Sequence, residues 1–317
     1  MPLTRRVLLG ATAAAAALAQ SPKFKSWKPR FGILGRLTEG NLEFARQEGY
    51  RDIEIFVQPN TNLDVGMSDA QIETTKALLE SKGLPLAVIG SVENHIAPDA
   101  AARERTNAHF AKVIELAGKF GTRLVSTASG NIPGAPLAEQ VKEIVRVYRE
   151  RYLPLCERHN VRILWENWAG GPNIAISPVG YEALFKAFGN SAPVGLQFDP
   201  SHLVAQMIDP VQCARDFSDH IYAVHLKDTE ILWPVLRRVG INPLDRTPWW
   251  RFRLPGMGAV NWPAFFTVLM EKGYDGPMNI EHEDRFYGFP FQAQEFPEEY
   301  KQGFRVANRY LRQFLPV

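Results

Sequence analysis

Apolar and polar positions along this chain fall into a repeating two-part pattern. Short runs rich in Val, Ile, Leu and Phe occur at 31–34, 52–57, 84–89, 123–127, 161–165, 194–198, 221–226 and 277–280. Between them, apolar residues recur at helical spacing: about 38–48, from 68, 98–120, 137–158, from 178, from 210, from 262, and 298–314. Ser68 and Gln71 stand where a capping box would open the second helix. Short strands alternating with helices indicate parallel pairing through right-handed crossovers. Eight such units predict an α/β fold closed into a (β/α)8 (TIM) barrel, a single domain over 31–317. A doubly wound sheet fits less well: eight regular units exceed its needs, and no glycine-rich dinucleotide fingerprint follows the first run.

Ahead of the barrel, residues 1–19 have a different character. Arg5 and Arg6 precede a small apolar run, and Ala17-Leu18-Ala19 supplies a small-x-small cleavage site before Gln20. This is the layout of a twin-arginine-type export signal, with 20–30 as a linker and a periplasmic destination. The run is too short for an ordinary membrane-spanning helix, so no membrane anchor is expected after cleavage. Formal net charge is +2, and removal of the signal brings it closer to neutral. That argues against a nucleic-acid partner held by bulk charge. The two cysteines, Cys156 and Cys213, provide no disulfide framework and are expected as buried thiols.

The chemical signal lies in what ends the later strands. The fifth ends in Glu166, the sixth in Asp199, the seventh carries His225 and the eighth ends in Glu281. A closed barrel gathers strand ends on one face, so these four should converge. Three carboxylates meeting in a dry cup repel one another unless a cation neutralises them. One divalent ion is therefore expected; an oxygen-rich set with one imidazole suits Mn²⁺, Mg²⁺ or Co²⁺, with Zn²⁺ left open. Strand alternation puts Lys227 on the same side as His225, facing either substrate or a neighbouring acid. Trp168 is one of several tryptophans whose flat face is suited to stack on a ring-shaped substrate. The long connection 229–260, with Trp249, Trp250, Arg251 and Arg253, is expected either to cover substrate or to join copies of the chain into a homo-oligomer.

Together, Glu166, the run Asp199-Pro200-Ser201-His202, the run His225-Leu226-Lys227-Asp228, Pro255-Gly256-Met257-Gly258 and Ile280-Glu281-His282-Glu283-Asp284 resemble the xylose-isomerase-like barrels. That sugar phosphate isomerase/epimerase superfamily includes ketose 3-epimerases, hydroxypyruvate isomerases and inosose dehydratases, and more distantly apurinic-site endonucleases. The resemblance spans roughly residues 30–315. It implies one divalent metal on Glu166, Asp199, His225 and Glu281, with Glu166 and Glu281 as the catalytic acid/base pair. It further implies that His202 and an arginine of the seventh loop, Arg251 or Arg253, touch a small carbohydrate substrate, and that Glu54 and His95 line the pocket.

Such a site acidifies the C–H beside a chelated carbonyl and stabilises an enediolate, giving isomerase or epimerase chemistry. The same intermediate beside a leaving group makes the enzyme a lyase or dehydratase acting on an oxidised sugar, inositol or 3-keto-glycoside. A sugar-binding protein that keeps the metal without turnover is a third reading. An endonuclease fits poorly, because the seventh loop has no histidine and the whole chain only seven.

Overall fold

The computed structural model describes residues 27–58, 61–189, 191–289 and 293–315. Its strands, in chain order, are β1 (Arg30–Gly35), β2 (Ile53–Phe56), β3 (Leu86–Gly90), β4 (Leu124–Thr127), β5 (Arg162–Glu166), β6 (Val194–Phe198), β7 (Ile221–Leu226), β8 (Asp228–Ile231), β9 (Trp250–Arg253) and β10 (Pro277–Ile280). Eight of them close a barrel in the order β1-β10-β7-β6-β5-β4-β3-β2, and every pair within it is parallel. The remaining two, β8 and β9, form a separate antiparallel hairpin. The expected export signal and the linker residues up to 26 lie outside the described residues. Trp27 already packs on Phe266, with ring centroids 6.4 Å apart, so the packed domain starts ahead of residue 31.

The helices are α1 (Glu39–Gln47), α2 (Asp69–Lys82), α3 (Ala100–Phe120), α4 (Leu137–Val147), α5 (Leu153–His159), α6 (Pro178–Phe188), α7 (Pro200–Val204), α8 (Pro210–Asp216), α9 (Trp233–Val239), α10 (Trp262–Lys272) and α11 (Glu298–Arg312). Ser68 and Gln71 make the reciprocal capping box that opens α2. The single helix expected over 137–158 is instead α4 and α5 joined by a π-helical turn, Tyr148–Tyr152. Pro154 has no N–H to donate to the carbonyl four residues back, and the widened turn absorbs that missing bond. Its two tyrosines are buried and engaged: Trp165 Nε1 donates to Tyr148 Oη at 3.0 Å, and Tyr152 Oη donates to Asn107 at 2.7 Å. The connection over 229–260 carries the hairpin and α9 rather than a structureless loop.

The main apolar core lies between the strands and the ring of helices; both cysteines are free and buried in it. Inside the barrel, a smaller cluster of Ala87, Val88, Leu164 and Ala223 fills the middle. Leu164 sits two residues before Glu166 and Ala223 two before His225, so strand alternation puts this plug directly under the polar rim. Lower still, Asp52 is fully buried and accepts a hydrogen bond from Asn279 Nδ2 at 2.9 Å. Gly32 makes that pairing possible, because a Cβ there would meet Asp52 Oδ1 at 2.0 Å.

Candidate metal centre

Glu166, Asp199, His225 and Glu281 each offer one ligand atom, and these atoms all lie within 4.8 Å of one another. The four residues come from the ends of β5, β6, β7 and β10, as the barrel register requires. His225 is fully buried, and its Nδ1 lies 3.0 Å from both Glu166 Oε1 and Glu281 Oε2. Asp199 is fixed by Asn167, which accepts from its backbone N–H at 2.7 Å and donates to its carbonyl at 2.8 Å. Asp199 also caps α7 by accepting from Ser201 N. That short helix carries His202, whose Nε2 is 3.4 Å from Asp199 Oδ2 and 3.6 Å from Glu166 Oε1.

Lys227 stands among these groups rather than beside them. It is 1% exposed, with Nζ 2.7 Å from Glu281, 2.8 Å from Glu283 and 3.2 Å from Asp199. The Phe252 ring of the hairpin covers the ammonium at 4.4 Å and meets the His202 ring edge to face. Of the two roles weighed for Lys227, the ion pair with neighbouring acids is the one these distances show.

Charge balance decides what else this cluster needs. Burial pushes the Glu281 carboxyl up, but Lys227 and His225 outweigh it and hold it down at about 2. Burial likewise disfavours a charged His225, yet Glu54, Glu281 and Glu166 keep its pKa well above the ordinary histidine value. Five carboxylates, those of Glu54, Glu166, Asp199, Glu281 and Glu283, crowd around one lysine and two imidazoles. The site is short of positive charge. Asp199 Oδ2 is buried without a hydrogen-bond partner among the described groups. Three oxygen donors, one of them a buried Asp199 oxygen that makes no hydrogen bond, and one imidazole nitrogen fit a divalent cation.

Several residues expected to touch substrate lie elsewhere. Glu54 is fully buried beneath the donor set, 3.1 Å from His225 Nε2, and accepts two bonds from Gln197 Nε2 at 2.7 and 2.8 Å. It orients the histidine from behind and does not line the cavity. His95 is also fully buried, with Nδ1 3.0 Å from Tyr152 Oη and Nε2 3.0 Å from Thr127 Oγ1. Burial drives its pKa down to about 3, so it is a neutral structural link. Arg251 and Arg253 are likewise absent from the cavity wall. Both donate to Glu230, and Arg253 also to Asp284. The hairpin backs Lys227 and His202 through Phe252, and its arginines turn to Glu230 and Asp284 rather than to the cavity. Trp165 and Trp249 are core, whereas Trp168 lines the cavity and is 36% exposed. Gly170 and Gly171 lie flat against its indole: a Cβ on either would stand 2.6 Å from the ring.

Above the donors opens a cavity of about 520 Å³, lined by Glu166, His202, Lys227 and Glu281. It is also lined by residues not singled out from sequence, among them Arg36, Glu283, Phe289 and Tyr300. Glu283 had a usable signal, since it stands two residues beyond Glu281 and so on the same side. Asp228, next to Lys227, points away from the cavity and organises the returning loop. Its carboxylate accepts from Thr229 N, Gly256 N, Val260 N and Trp262 Nε1 at 2.8–3.0 Å. Gly258 is needed there because a Cβ would meet Asp228 Oδ1 at 2.2 Å.

Comparison with known proteins fits this geometry. A family model described as "Xylose isomerase-like TIM barrel" matches residues 42–310. The Bacillus subtilis (strain 168) protein YfiH is 27% identical over 291 residues, covering 79% of this chain and 90% of YfiH. Inosose dehydratase of Geobacillus kaustophilus is 33% identical over 111 residues, about a third of each chain (34% and 35%). Among solved structures, a xylose isomerase domain protein from Planctomyces limnophilus aligns with TM-score 0.68 at 18% identity, covering 90% of this chain and 97% of that one. The E. coli 3-keto-D-glucoside 4-epimerase YcjR aligns with TM-score 0.66 at 15% identity, covering 90% and 100%. At these identities the structural matches speak for the fold.

Proposed function

The chain belongs to the xylose isomerase-like TIM-barrel family, and from that premise we propose that it is a divalent-metal-dependent isomerase or epimerase of a small sugar. The observation that carries the reading is the pair Glu166 and Glu281, each 3.0 Å from His225 Nδ1 and both open to the cavity. A divalent cation held by Glu166, Asp199, His225 and Glu281 would polarise a substrate carbonyl and acidify the adjacent C–H. Glu281 would accept that proton; handing the same proton to the neighbouring carbon gives the isomer, and delivery by Glu166 of a proton taken from solvent to the other face of the first carbon gives the epimer. Paired with Lys227, Glu281 is a weak base. Substrate oxygens that draw the ammonium away raise its basicity at the moment of need. His202 and Lys227 orient the hydroxyls, and Trp168 offers a face for the ring.

A lyase or dehydratase reading has one observation in its favour: the Lys227 ammonium lies beside the base and faces the cavity, where it can protonate a departing oxygen. Export through the Arg5-Arg6 segment belongs to the same proposal. The test is solvent-deuterium exchange by the metal-loaded protein on ketoses, aldoses, inososes and keto-glycosides, followed by product analysis. Exchange that needs the divalent ion and is abolished by Glu281→Gln is expected. An active, metal-replete Glu281→Gln protein would remove the mechanism.

A further inference from the structure

The cavity above the donors has two chemically unlike halves. Glu166, His202, Lys227, Glu281 and Glu283 make one side. Facing them are the apolar Leu34, Phe56, Val92, Phe289, Phe296 and Tyr300, from the rims of β1 to β3 and the segment leading into α11, with Arg36 and Gln58 as polar neighbours on the same rims. Phe296 and Tyr300 pack edge to face at 5.1 Å. The Tyr300 hydroxyl is already engaged, donating to His282 O at 2.8 Å. Thr61, on the same side, donates its hydroxyl to Phe56 O at 2.6 Å. A monosaccharide carries hydroxyls around its whole ring. Pressed against Phe56, Val92, Phe289 and Phe296, whose side chains carry no hydrogen-bonding atom, those hydroxyls would lose water without gaining partners there, which is costly. The cavity volume of about 520 Å³ lies within the range of sites that enclose ligands of drug size.

We infer that the substrate is a ring-oxidised sugar still bearing an apolar, aromatic aglycone. The inference rests on the proton-transfer reading of the same site. The keto-sugar sits over the donor set, and the aglycone lies on the wall of Phe56, Val92, Phe289 and Phe296. The rings of that wall favour an aryl group, because aromatic pairs gain beyond area alone. The reaction needs no further reagent. A carboxylate takes the proton beside the ketone, the C–H electron pair moves toward the carbonyl, and a proton from the site restores the carbon.

The test compares methyl and phenyl glucosides in two measurements. The first is calorimetric binding of the unoxidised glucosides to Mn²⁺-loaded protein; the second is solvent-deuterium exchange of their 3-keto forms. Phenyl should exceed methyl in both, by on the order of 100-fold, as apolar pockets discriminate. Val92→Asn, at an exposed rim position, and Phe289→Ser should each cut the phenyl-to-methyl ratio severalfold, with thermal melts reporting folding. Equal binding and equal exchange of the two overturn the inference, as does faster exchange on free ketoses with no gain from phenyl. Either result leaves the proton-transfer reading standing. A phenyl preference in binding, with no exchange on any substrate, supports the aglycone site and overturns the proton-transfer reading instead.

Discussion

Glu54→Gln is the sharpest probe of how the donor set is held. His225 can ligate through Nδ1 only if its other nitrogen carries the proton, and Glu54 Oε2, 3.1 Å from Nε2, is the acceptor that fixes this tautomer. The new amide could still offer a carbonyl oxygen to His225. Its NH₂ would then face the Gln197 amide, which now donates to both Glu54 oxygens at 2.7 and 2.8 Å. Two buried donors would confront each other, and one charge-assisted bond would become neutral. Such a bond to a charged group contributes about 1.5–3 kcal/mol. Carboxylates behind metal-bound histidines typically change metal affinity about 10- to 100-fold, or about 1.4–2.7 kcal/mol. The two routes agree. Titration calorimetry with Mn²⁺ should therefore show at least a tenfold weaker dissociation constant, and the ion should raise the melting temperature of the variant less than that of the parent. A folded Glu54→Gln protein that binds Mn²⁺ within twofold of the parent would refute the assignment of Glu54 as the histidine's orienting partner.

Other consequences follow from groups away from the donors. Burial raises the Asp52 carboxyl from 3.8 to about 7, so between those values the folded chain holds a proton that the unfolded chain releases. Stability should fall as pH rises through that window, by at most about 4 kcal/mol, and level off above it; urea melts of Asp52→Asn should lack this loss. Asp228→Asn turns one acceptor oxygen into a donor facing Gly256 N and Trp262 Nε1, costing about 2–4 kcal/mol of stability by thermal melt. Fractionation of cells expressing the full chain should find it outside the cytoplasm, and Arg5→Lys together with Arg6→Lys should hold it inside; unchanged export would remove the twin-arginine reading.

The fold was readable because a (β/α)8 barrel writes itself into local pattern. Each strand is a short apolar run and each helix an amphipathic one, so order and count could be taken directly from residues such as 161–165 and 194–198. The failures are equally local in cause. The break between α4 and α5 hangs on Pro154 and two tyrosines whose partners, Trp165, His95 and Asn107, lie on other elements. The path over 229–260 shows in sequence only as one long connection, since Pro234, Pro243 and Pro248 break any regular period in it. Yet Asp228 to Ile231 finds Trp250 to Arg253 across a hairpin, a pairing that no sequence period announces.

Within the site, the dividing line is whether strand parity alone sets a residue's direction. Glu166, His225 and Glu281 inherit theirs from β5, β7 and β10, and Lys227 follows two residues beyond His225, so each could be placed before any partner was known. Parity also turns Glu54 inward, but not how high it stands in the barrel. It lies level with Val88, one layer below the rim, and that single layer separates touching substrate from steadying His225. For Arg251 and Arg253 parity says nothing useful, because their strand belongs to the hairpin and not to the barrel. A guanidinium there goes where its fork finds carboxylates. Glu230 and Asp284 stand about twenty and thirty residues away in sequence yet within 2.6–2.8 Å in space. The hairpin's arginines are paired with Glu230 of the hairpin and Asp284 just beyond β10, which leaves Lys227 as the ammonium beside the donors.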